Sequence, residues 1–240
     1  MSDIYHILSR GVDKRKIFLD KHDYFRFIHN LFVLNEQRVV HTTRYNPQNF
    51  EKTENEKVGD QTGDRASPQF KGKREPRKLL VDIHAFSLMS NHYHLLLSPK
   101  IENAIPKFMN KLNMAYAKYF NIKYKRKGTL FESRYKSIPV KKEQHFYHLP
   151  YYIHLNPLDI EFPEWREGRL KSYTKAMEFL ENYRWSSHPD YTGKKNFPSV
   201  TNRNFLLDVF SGEEKYKQSI EQWLKDLDST ATRNKELFLE

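Results

Sequence analysis

The sequence predicts an α+β fold in which four strands and two helices follow in the order strand, helix, strand, strand, helix, strand. Short apolar runs bounded by turn-forming residues indicate the strands, and apolar residues spaced three or four apart indicate the helices. This order is that of a ferredoxin-like, split βαβ antiparallel sheet with helices on one face. The chain has 240 residues, 15% of them aromatic, which suffices for one such core with additions.

The six elements are predicted over residues 3–9, 21–36, 79–88, 92–98, 102–122 and 135–140. Arg10-Gly11 ends the first strand, and the first helix carries an apolar stripe from Tyr24 to Phe32. Only three residues separate the second and third strands, which is short enough for a hairpin. The second helix places its lysines opposite its apolar stripe. Pro139, which has no backbone N–H, makes the last strand an edge strand.

Further helices are predicted after the sheet. Residues 142–156 form a third helix that Asn156-Pro157 ends, and Pro150 either kinks it or starts it anew. One or two more helices lie within residues 204–228. We therefore expect a main domain over residues 1–190, a polar and mobile insertion within it at 41–77, and a C-terminal helical extension over 191–240.

The positive charge of the chain is concentrated in one segment. The formal net charge is +11, and residues 100–142 hold twelve Lys or Arg against two acidic residues. Tyrosines and phenylalanines are interleaved with these basic residues, which is typical of surfaces that bind single-stranded nucleic acid. The alternative is a solvated basic face.

Composition excludes several other classes. Cysteine is absent, which excludes disulfides, thiolate metal sites and cysteine nucleophiles. No run of 18 apolar residues occurs, so no membrane partner is expected. The first residues lack the features of a signal peptide, so we expect a cytoplasmic protein.

A histidine pair stands in the third strand, in the run His92-Tyr93-His94. Side chains two residues apart on a strand point to the same face, so His92 and His94 are expected side by side, with Tyr93 opposite. Two imidazoles about 6–7 Å apart form half of a divalent-metal site. The alternative is that both histidines only pack at the edge of the sheet.

Tyr152 and Asn156 lie four residues apart and so share one face of the third helix. A tyrosine hydroxyl can attack a phosphodiester when a cation neutralises the charge that grows on the phosphoryl oxygens. With His92 and His94 as nitrogen ligands and Asn156 as an oxygen donor, Mg²⁺ or Mn²⁺ is the expected cofactor, and Zn²⁺ or Co²⁺ is not excluded. The alternative for Tyr152, one of fifteen tyrosines, is a packed aromatic residue.

Four segments occur along the chain in the order SLMSNHYHLLLSP, KFMNKLNMAYAKYFNIKYKRKGTLFESRYKS, YYIHLNPLD and YRWSSHPDY. Together they resemble the HUH single-strand DNA tyrosine transposases, and in particular their REP-associated branch. Apart from the insertion, the resemblance runs from Asp3 to Tyr191. It implies a ferredoxin-like catalytic domain, a divalent metal and one nucleophilic tyrosine on a helix that faces the sheet.

The resemblance assigns roles by position. It implies that Tyr152 is the nucleophile, that His92 and His94 bind the metal, and that Asn156 helps to hold metal or phosphate. It also implies DNA contacts for basic residues, and we expect the second helix and the turn after it to hold a DNA hairpin. The expected DNA-binding residues are Arg10, Lys118, Lys123, Lys125, Arg126, Lys127, Arg134 and Lys136.

These features predict a transposase that cleaves and rejoins single-stranded DNA near hairpins, with a divalent metal and a 5′-phosphotyrosine intermediate. The expected partner is single-stranded or hairpin DNA, and the chain is expected to act as a monomer or homodimer. Two alternatives stay open. One is a non-catalytic, domesticated protein that binds DNA hairpins, and the other is a metal-dependent nuclease that uses water instead of tyrosine.

Overall fold

The structure, a computed structural model, describes residues 3–38, 76–141 and 143–230. The strands are β1 (Tyr5–Arg10), β2 (Val81–Leu88), β3 (His92–Pro99) and β4 (Lys136–Pro139). The helices are α1 (Lys21–Val33), α2 (Ala104–Lys123), α3 (Glu143–Leu155), α4 (Tyr173–Asn182), α5 (His188–Tyr191), α6 (Asn204–Val209) and α7 (Glu213–Thr230). In this part of the chain, no helix combines the length and the apolar character needed to cross a membrane.

The four strands form one antiparallel sheet in the order β2-β3-β1-β4. This order confirms the predicted ferredoxin-like α+β fold, because the first and third strands lie side by side in the middle. β4 pairs only with β1, as its proline predicts for an edge strand. The register sets Arg10 opposite His92 and Leu8 opposite His94.

One face of the sheet packs against α1 and α2. Apolar side chains of both helices form a buried cluster with Tyr93, Leu95 and Leu97 of β3. Asp20 starts α1 with a capping box, in which its side chain accepts from the backbone N–H of Asp23 and the Asp23 side chain accepts in return. The predicted helices on this face are therefore confirmed.

The other face of the sheet packs against α3 and the helices that follow it. Leu96 of β3 and Ala85 of β2 share a buried cluster with Tyr152 of α3 and with Leu224 of α7. α3 runs without a break past Pro150, so this proline lies inside one helix instead of starting a new one. The C-terminal helices thus contribute to the core that carries α3.

The loop after β1 is tied to the turn between β2 and β3. The backbone N–H of Gly11 donates to the carbonyl of Asn91 (2.8 Å), and that of Ile17 donates to the carbonyl of Ser90 (2.8 Å). A Cβ atom at Gly11 would lie 2.3 Å from the carbonyl oxygen of Arg15, so only glycine fits this close approach. These hydrogen bonds hold Asn91, the residue that precedes His92, in place.

The predicted insertion at 41–77 lies outside the described residues except for its last two positions, 76 and 77.

Candidate active site

The histidine pair lies on the sheet face that α3 covers. The ring centroids of His92 and His94 are 5.0 Å apart, with the ring planes at 82°. Tyr93 points to the other face, where its ring centroid lies 4.6 Å from that of Phe27. The prediction that the two imidazoles share one face is therefore confirmed.

α3 places Tyr152 directly against this pair. The Tyr152 ring stands nearly perpendicular to that of His94, with 5.6 Å between centroids, and to that of His6, with 6.1 Å. Tyr152 is 2% exposed and His94 is fully buried. The site is closed in this conformation, so a DNA phosphate can reach the Tyr152 hydroxyl only if the surrounding elements move.

Both histidines of the pair have a partner on their Nδ1 atom. His92 Nδ1 lies 2.7 Å from Oδ1 of Asn91, and His94 Nδ1 lies 2.9 Å from Nε2 of His6. The His6 and His94 rings are stacked, with centroids 5.1 Å apart and planes at 10°. Metal binding by either ring of the pair would therefore use Nε2.

Asn156 lies one turn after Tyr152 and is fully buried. Its Nδ2 donates to the backbone carbonyl of Tyr152 (2.8 Å), and its Oδ1 accepts from Arg166 (2.9 Å). Arg166 also donates twice to Asp159, and its guanidinium carbon lies 5.6 Å from the centre of the Tyr152 ring. A carboxamide oxygen has two lone pairs, so the hydrogen bond from Arg166 leaves one for a metal or a donor on a substrate.

Two of the predicted DNA contacts reach the histidine face through the strand register. Arg10 is directly opposite His92, and residues in such positions have Cβ atoms about 4.5–5.5 Å apart on the same face. Lys136 is opposite Leu8, which is opposite His94, so Lys136 lies on the same face about 10 Å from His94. The register therefore places cationic side chains beside the histidine pair.

The basic turn after α2 joins the end of β1. Val12 donates through its backbone N–H to the carbonyl of Leu130 (3.0 Å), and Glu132 donates to the carbonyl of Arg10 (3.0 Å). Exposed cationic side chains occur on the last half of α2, in this turn and just after it. They belong to Lys118, Lys125, Lys127 and Arg134.

Two other predicted DNA contacts, Lys123 and Arg126, are engaged by neighbouring side chains of the protein. Lys123 Nζ lies 2.7 Å from Asp20 and 2.8 Å from the fully buried Asp23. Burial acts to lower the pKa of Lys123, but hydrogen bonds to the two carboxylates outweigh it and hold the pKa above its usual range. The guanidinium carbon of Arg126 lies 5.6 Å from the centre of the Phe120 ring. Lys123 thus ties α2 to α1, and DNA contact by either residue stays a prediction.

The predicted metal ligands are two imidazoles and one carboxamide. Throughout 3–38, 76–141 and 143–230, no group of three or more His, Asp or Glu side chains is placed to hold a metal ion. A site made of His92, His94 and Asn156 would leave its remaining positions to water or phosphate oxygens, which suits Mg²⁺ because this ion usually keeps several waters. The donor set fits a divalent cation with open positions.

Sequence reasoning missed three residues of this site. His6 lies in the predicted first strand, but its contact with His94 depends on the pairing of β1 with β3. Asn91 directly precedes the pair, and a polar residue next to a candidate ligand was the available signal. Arg166 lies ten residues after Asn156 and carries no signal in the sequence.

Another buried histidine anchors α3 on its side facing the C-terminal helices. His154 Nε2 lies 2.6 Å from Oγ of Ser187, and its Nδ1 is hydrogen-bonded to the hydroxyl of Tyr216 in α7. Ser187 Oγ in turn accepts from the backbone N–H of Phe86 in β2 (2.9 Å). Burial lowers the pKa of His154 well below its usual range, so the ring is neutral.

Comparison with known proteins bears on the region that carries these residues. The family model described as "Transposase IS200 like" matches residues 72–156, from just before β2 to Asn156. This segment, about a third of the chain, is similar to the IS200-like transposases. It contains His92, His94 and Tyr152, and the match confirms the resemblance to HUH tyrosine transposases predicted from the sequence.

The comparisons with curated proteins and with solved structures give less information than the family model. No curated protein matches the chain. A solved structure with a similar chain path is described as "Structure of the REP associates tyrosine transposase bound to a REP hairpin". It is 8% identical, has a TM-score of 0.41, and the alignment covers 83% of this chain and 84% of that one.

Proposed function

We propose that this protein cleaves and rejoins single-stranded DNA by transesterification, with Tyr152 as the nucleophile. The observation that carries the proposal is the position of the Tyr152 ring, edge-on to His94 on the face that also holds His92. The similarity of residues 72–156 to the IS200-like transposases supports DNA transposition as the biological role.

The proposed cleavage step exchanges one phosphoester for another. The Tyr152 oxygen attacks the scissile phosphorus in line, a Tyr152–phosphate bond forms, and the bond from phosphorus to the 3′ oxygen breaks. The tyrosine proton is lost and the departing 3′ oxygen gains a proton, so the step needs no external energy source. In the reverse sense, the 3′-hydroxyl of a second strand attacks the 5′-phosphotyrosine, which rejoins the DNA and frees Tyr152.

His92 and His94 would hold the divalent cation through Nε2, with Asn156 as the third predicted ligand. When bound, Mg²⁺ or Mn²⁺ would neutralise charge that grows on the phosphoryl oxygens. Arg10, directly opposite His92, supplies a fixed cation on the same face for the adjoining phosphate. Asn156 also holds the carbonyl of Tyr152 and thereby orients the nucleophile's turn of α3.

The DNA is proposed to follow exposed cations from α2 to the histidine pair. Lys118, Lys125, Lys127, Arg134 and Lys136 are all exposed, and the strand register places Lys136 on the face of the histidine pair. Phosphate contacts of this kind position a hairpin without reading its sequence. We further propose that the chain acts in the cytoplasm as a monomer or homodimer, with residues 1–190 as the catalytic domain and 191–240 as its helical extension.

The test compares two neighbouring tyrosines on α3. A labelled DNA hairpin with a single-stranded flank from the gene's own borders is incubated with Mg²⁺ or Mn²⁺, and the products are separated on a denaturing gel. The unchanged protein and Tyr151→Phe should form a detergent-resistant protein–DNA band, while Tyr152→Phe should form none. Tyr151 is a matched control because it is the neighbouring buried tyrosine of α3 and its ring packs against that of Tyr216, with 5.7 Å between centroids.

One observation favours a second candidate, a non-catalytic protein that binds DNA hairpins. The 2% exposure of Tyr152 would suit an aromatic residue that only packs. Tight hairpin binding without any covalent band, in the unchanged protein and in both variants, would establish this candidate. Free cleaved product that Tyr152→Phe still forms would instead indicate a nuclease that uses water.

A further inference from the structure

We infer that Asn91 and His6 are positioning residues that hold His92 and His94 in the Nδ1–H tautomer. Both rings then direct an unprotonated Nε2 to a divalent cation. The inference rests on the proposed function and deepens it, because it says how two neutral imidazoles are prepared to act as ligands before any cation arrives.

The hydrogen bonds of Asn91 settle the tautomer of His92. Which end of a carboxamide carries oxygen follows from its partners, and the Asn91 amide nitrogen faces the carbonyl of Lys14 (3.3 Å), which can only accept. The Asn91 oxygen therefore faces His92 Nδ1 at 2.7 Å, and it too can only accept. The proton of that hydrogen bond belongs to His92 Nδ1, and the lone pair of the neutral ring is on Nε2.

The backbone around Asn91 holds this arrangement in place. The carbonyl of Asn91 accepts from Gly11, and the carbonyl of Ser90 accepts from Ile17 (2.8 Å each) and Phe18 (3.1 Å). The loop after β1, which is far from Asn91 in the sequence, therefore holds the turn that carries the amide. A rigid amide orients the His92 ring as well as its proton.

The contact between His6 and His94 admits two arrangements of one proton. If the proton is on His6 Nε2, then His94 Nδ1 accepts it, and the neutral His94 ring carries its own proton on Nε2 and cannot bind a cation there. If the proton is on His94 Nδ1, then Nε2 of His94 carries the lone pair. Only the second arrangement agrees with His94 as a ligand, so the inference requires His6 to be the acceptor across this 2.9 Å contact.

This pairing follows a general property of metal-binding histidines. Such a histidine usually donates its other ring N–H to a carboxylate, a backbone carbonyl or water, and loss of that partner typically lowers metal affinity about 10–100-fold. Here a carboxamide takes this place for His92, and a stacked imidazole takes it for His94. Neither acceptor carries a negative charge, so neither offsets the positive charge that a bound cation would present to the DNA phosphate.

The first test reads the protons directly. The full chain, labelled with ¹⁵N-histidine and free of metal, is examined by long-range ¹H–¹⁵N correlation, with its eleven histidines assigned from single His→Gln variants. We expect protons on Nδ1 of His6, His92 and His94. A proton on Nε2 of His92 or His94 would overturn the inference, whatever the protein's activity.

The second test measures Mn²⁺ affinity by electron paramagnetic resonance. Asn91→Ala and His6→Phe should each weaken Mn²⁺ binding about 10–100-fold. Asn91→Asp and His6→Gln, which keep an acceptor, should stay close to the unchanged protein. His84→Phe is the control, because His84 is also buried on this sheet but bonds Ser98 (2.8 Å).

The outcomes separate this inference from the proposed function. Folded Asn91→Ala and His6→Phe variants that bind Mn²⁺ as tightly as the unchanged protein would refute the positioning roles. The expected tautomers in a protein that binds no Mn²⁺ would support the ring geometry and refute the metal-dependent reaction. Equal weakening in His84→Phe would show a general effect of losing a buried histidine and would also overturn the inference.

Discussion

Replacing Lys123 by methionine should destabilise the fold and not merely weaken DNA binding. The Lys123 ammonium lies 2.8 Å from the carboxylate of Asp23, which is fully buried, and 2.7 Å from Asp20. Methionine keeps the length of the side chain but removes the charge. The variant would therefore leave the Asp23 carboxylate inside the protein without its cation.

The expected cost follows from the surroundings of Asp23. Removing one partner of a buried ion pair costs about 3–5 kcal/mol. The side chain of Lys123 is 27% exposed, and Asp23 keeps hydrogen bonds from the hydroxyls of Tyr119 (3.0 Å) and Tyr124 (2.8 Å). We therefore expect a loss of about 2–3 kcal/mol in the free energy of unfolding, or roughly 4–12 °C in melting temperature for a chain of this size.

The assay pairs thermal unfolding with DNA titrations at several salt concentrations. Lys118→Met is the matched control, because Lys118 is on the same helix and exposed. It should change the free energy of unfolding by less than about 0.5 kcal/mol. It should also lower by about one the number of phosphate contacts derived from the salt dependence of DNA affinity. A Lys123→Met variant that unfolds at the same temperature as Lys118→Met would refute the structural role of Lys123.

Three further predictions concern acid stability, packing and positioning. Burial lowers the pKa of His188 to about 3, so between pH 6.5 and pH 3 only the unfolded chain binds a proton at this residue. The free energy of unfolding should therefore fall by about 2 kcal/mol from pH 7 to pH 5. In denaturant titrations the free energy of unfolding of His188→Phe should depend less on pH, and an unchanged dependence would contradict this. Gly11→Ala brings a Cβ atom to 2.3 Å from the carbonyl of Arg15 and should cost about 1–3 kcal/mol, whereas an unaltered melting temperature would mean that the loop yields freely. Arg166→Gln removes the donor to Asn156 and should slow adduct formation about tenfold with little change in hairpin affinity; an unaltered rate on single-turnover gels would show that Asn156 needs no such support.

The sequence was sufficient to predict the sheet and the juxtaposition at its centre. A strand has a period of two, so His92 and His94 had to share a face, and the apolar residues after them had to be buried. The family resemblance then predicted that Tyr152 lies on a helix facing the sheet. These are local patterns, and a structure predicted from a local pattern is correct when that pattern agrees with the overall fold.

The rest of the site depends on contacts between distant segments. His6 meets His94 across 88 positions of the chain, and the pairing register that brings them together is not written in either strand alone. Charge likewise does not reveal the partners of a residue: Lys118 and Lys123 are five residues apart on α2 and both exposed, yet Lys123 binds the carboxylates of Asp20 and Asp23. The burial of Tyr152 depends on how α3 and the C-terminal helices pack together against the sheet, which a pattern in the sequence does not reveal.

The attachment of α3 to α7 restricts how two copies of the chain could share their active residues. To trade tyrosines, two molecules would have to exchange α3, and His154 would then have to bond Ser187 and Tyr216 of the other copy unless α7 and the segment before it crossed over too. A buried hydrogen bond that is broken and not remade costs about 1–3 kcal/mol, so each exchanged α3 would have to pack fully against the C-terminal helices of the other copy. If each molecule takes its nucleophile and its histidines from itself, a mixture of Tyr152→Phe and His94→Ala chains should fail to regain cleavage, and recovered cleavage would show that two copies exchange α3.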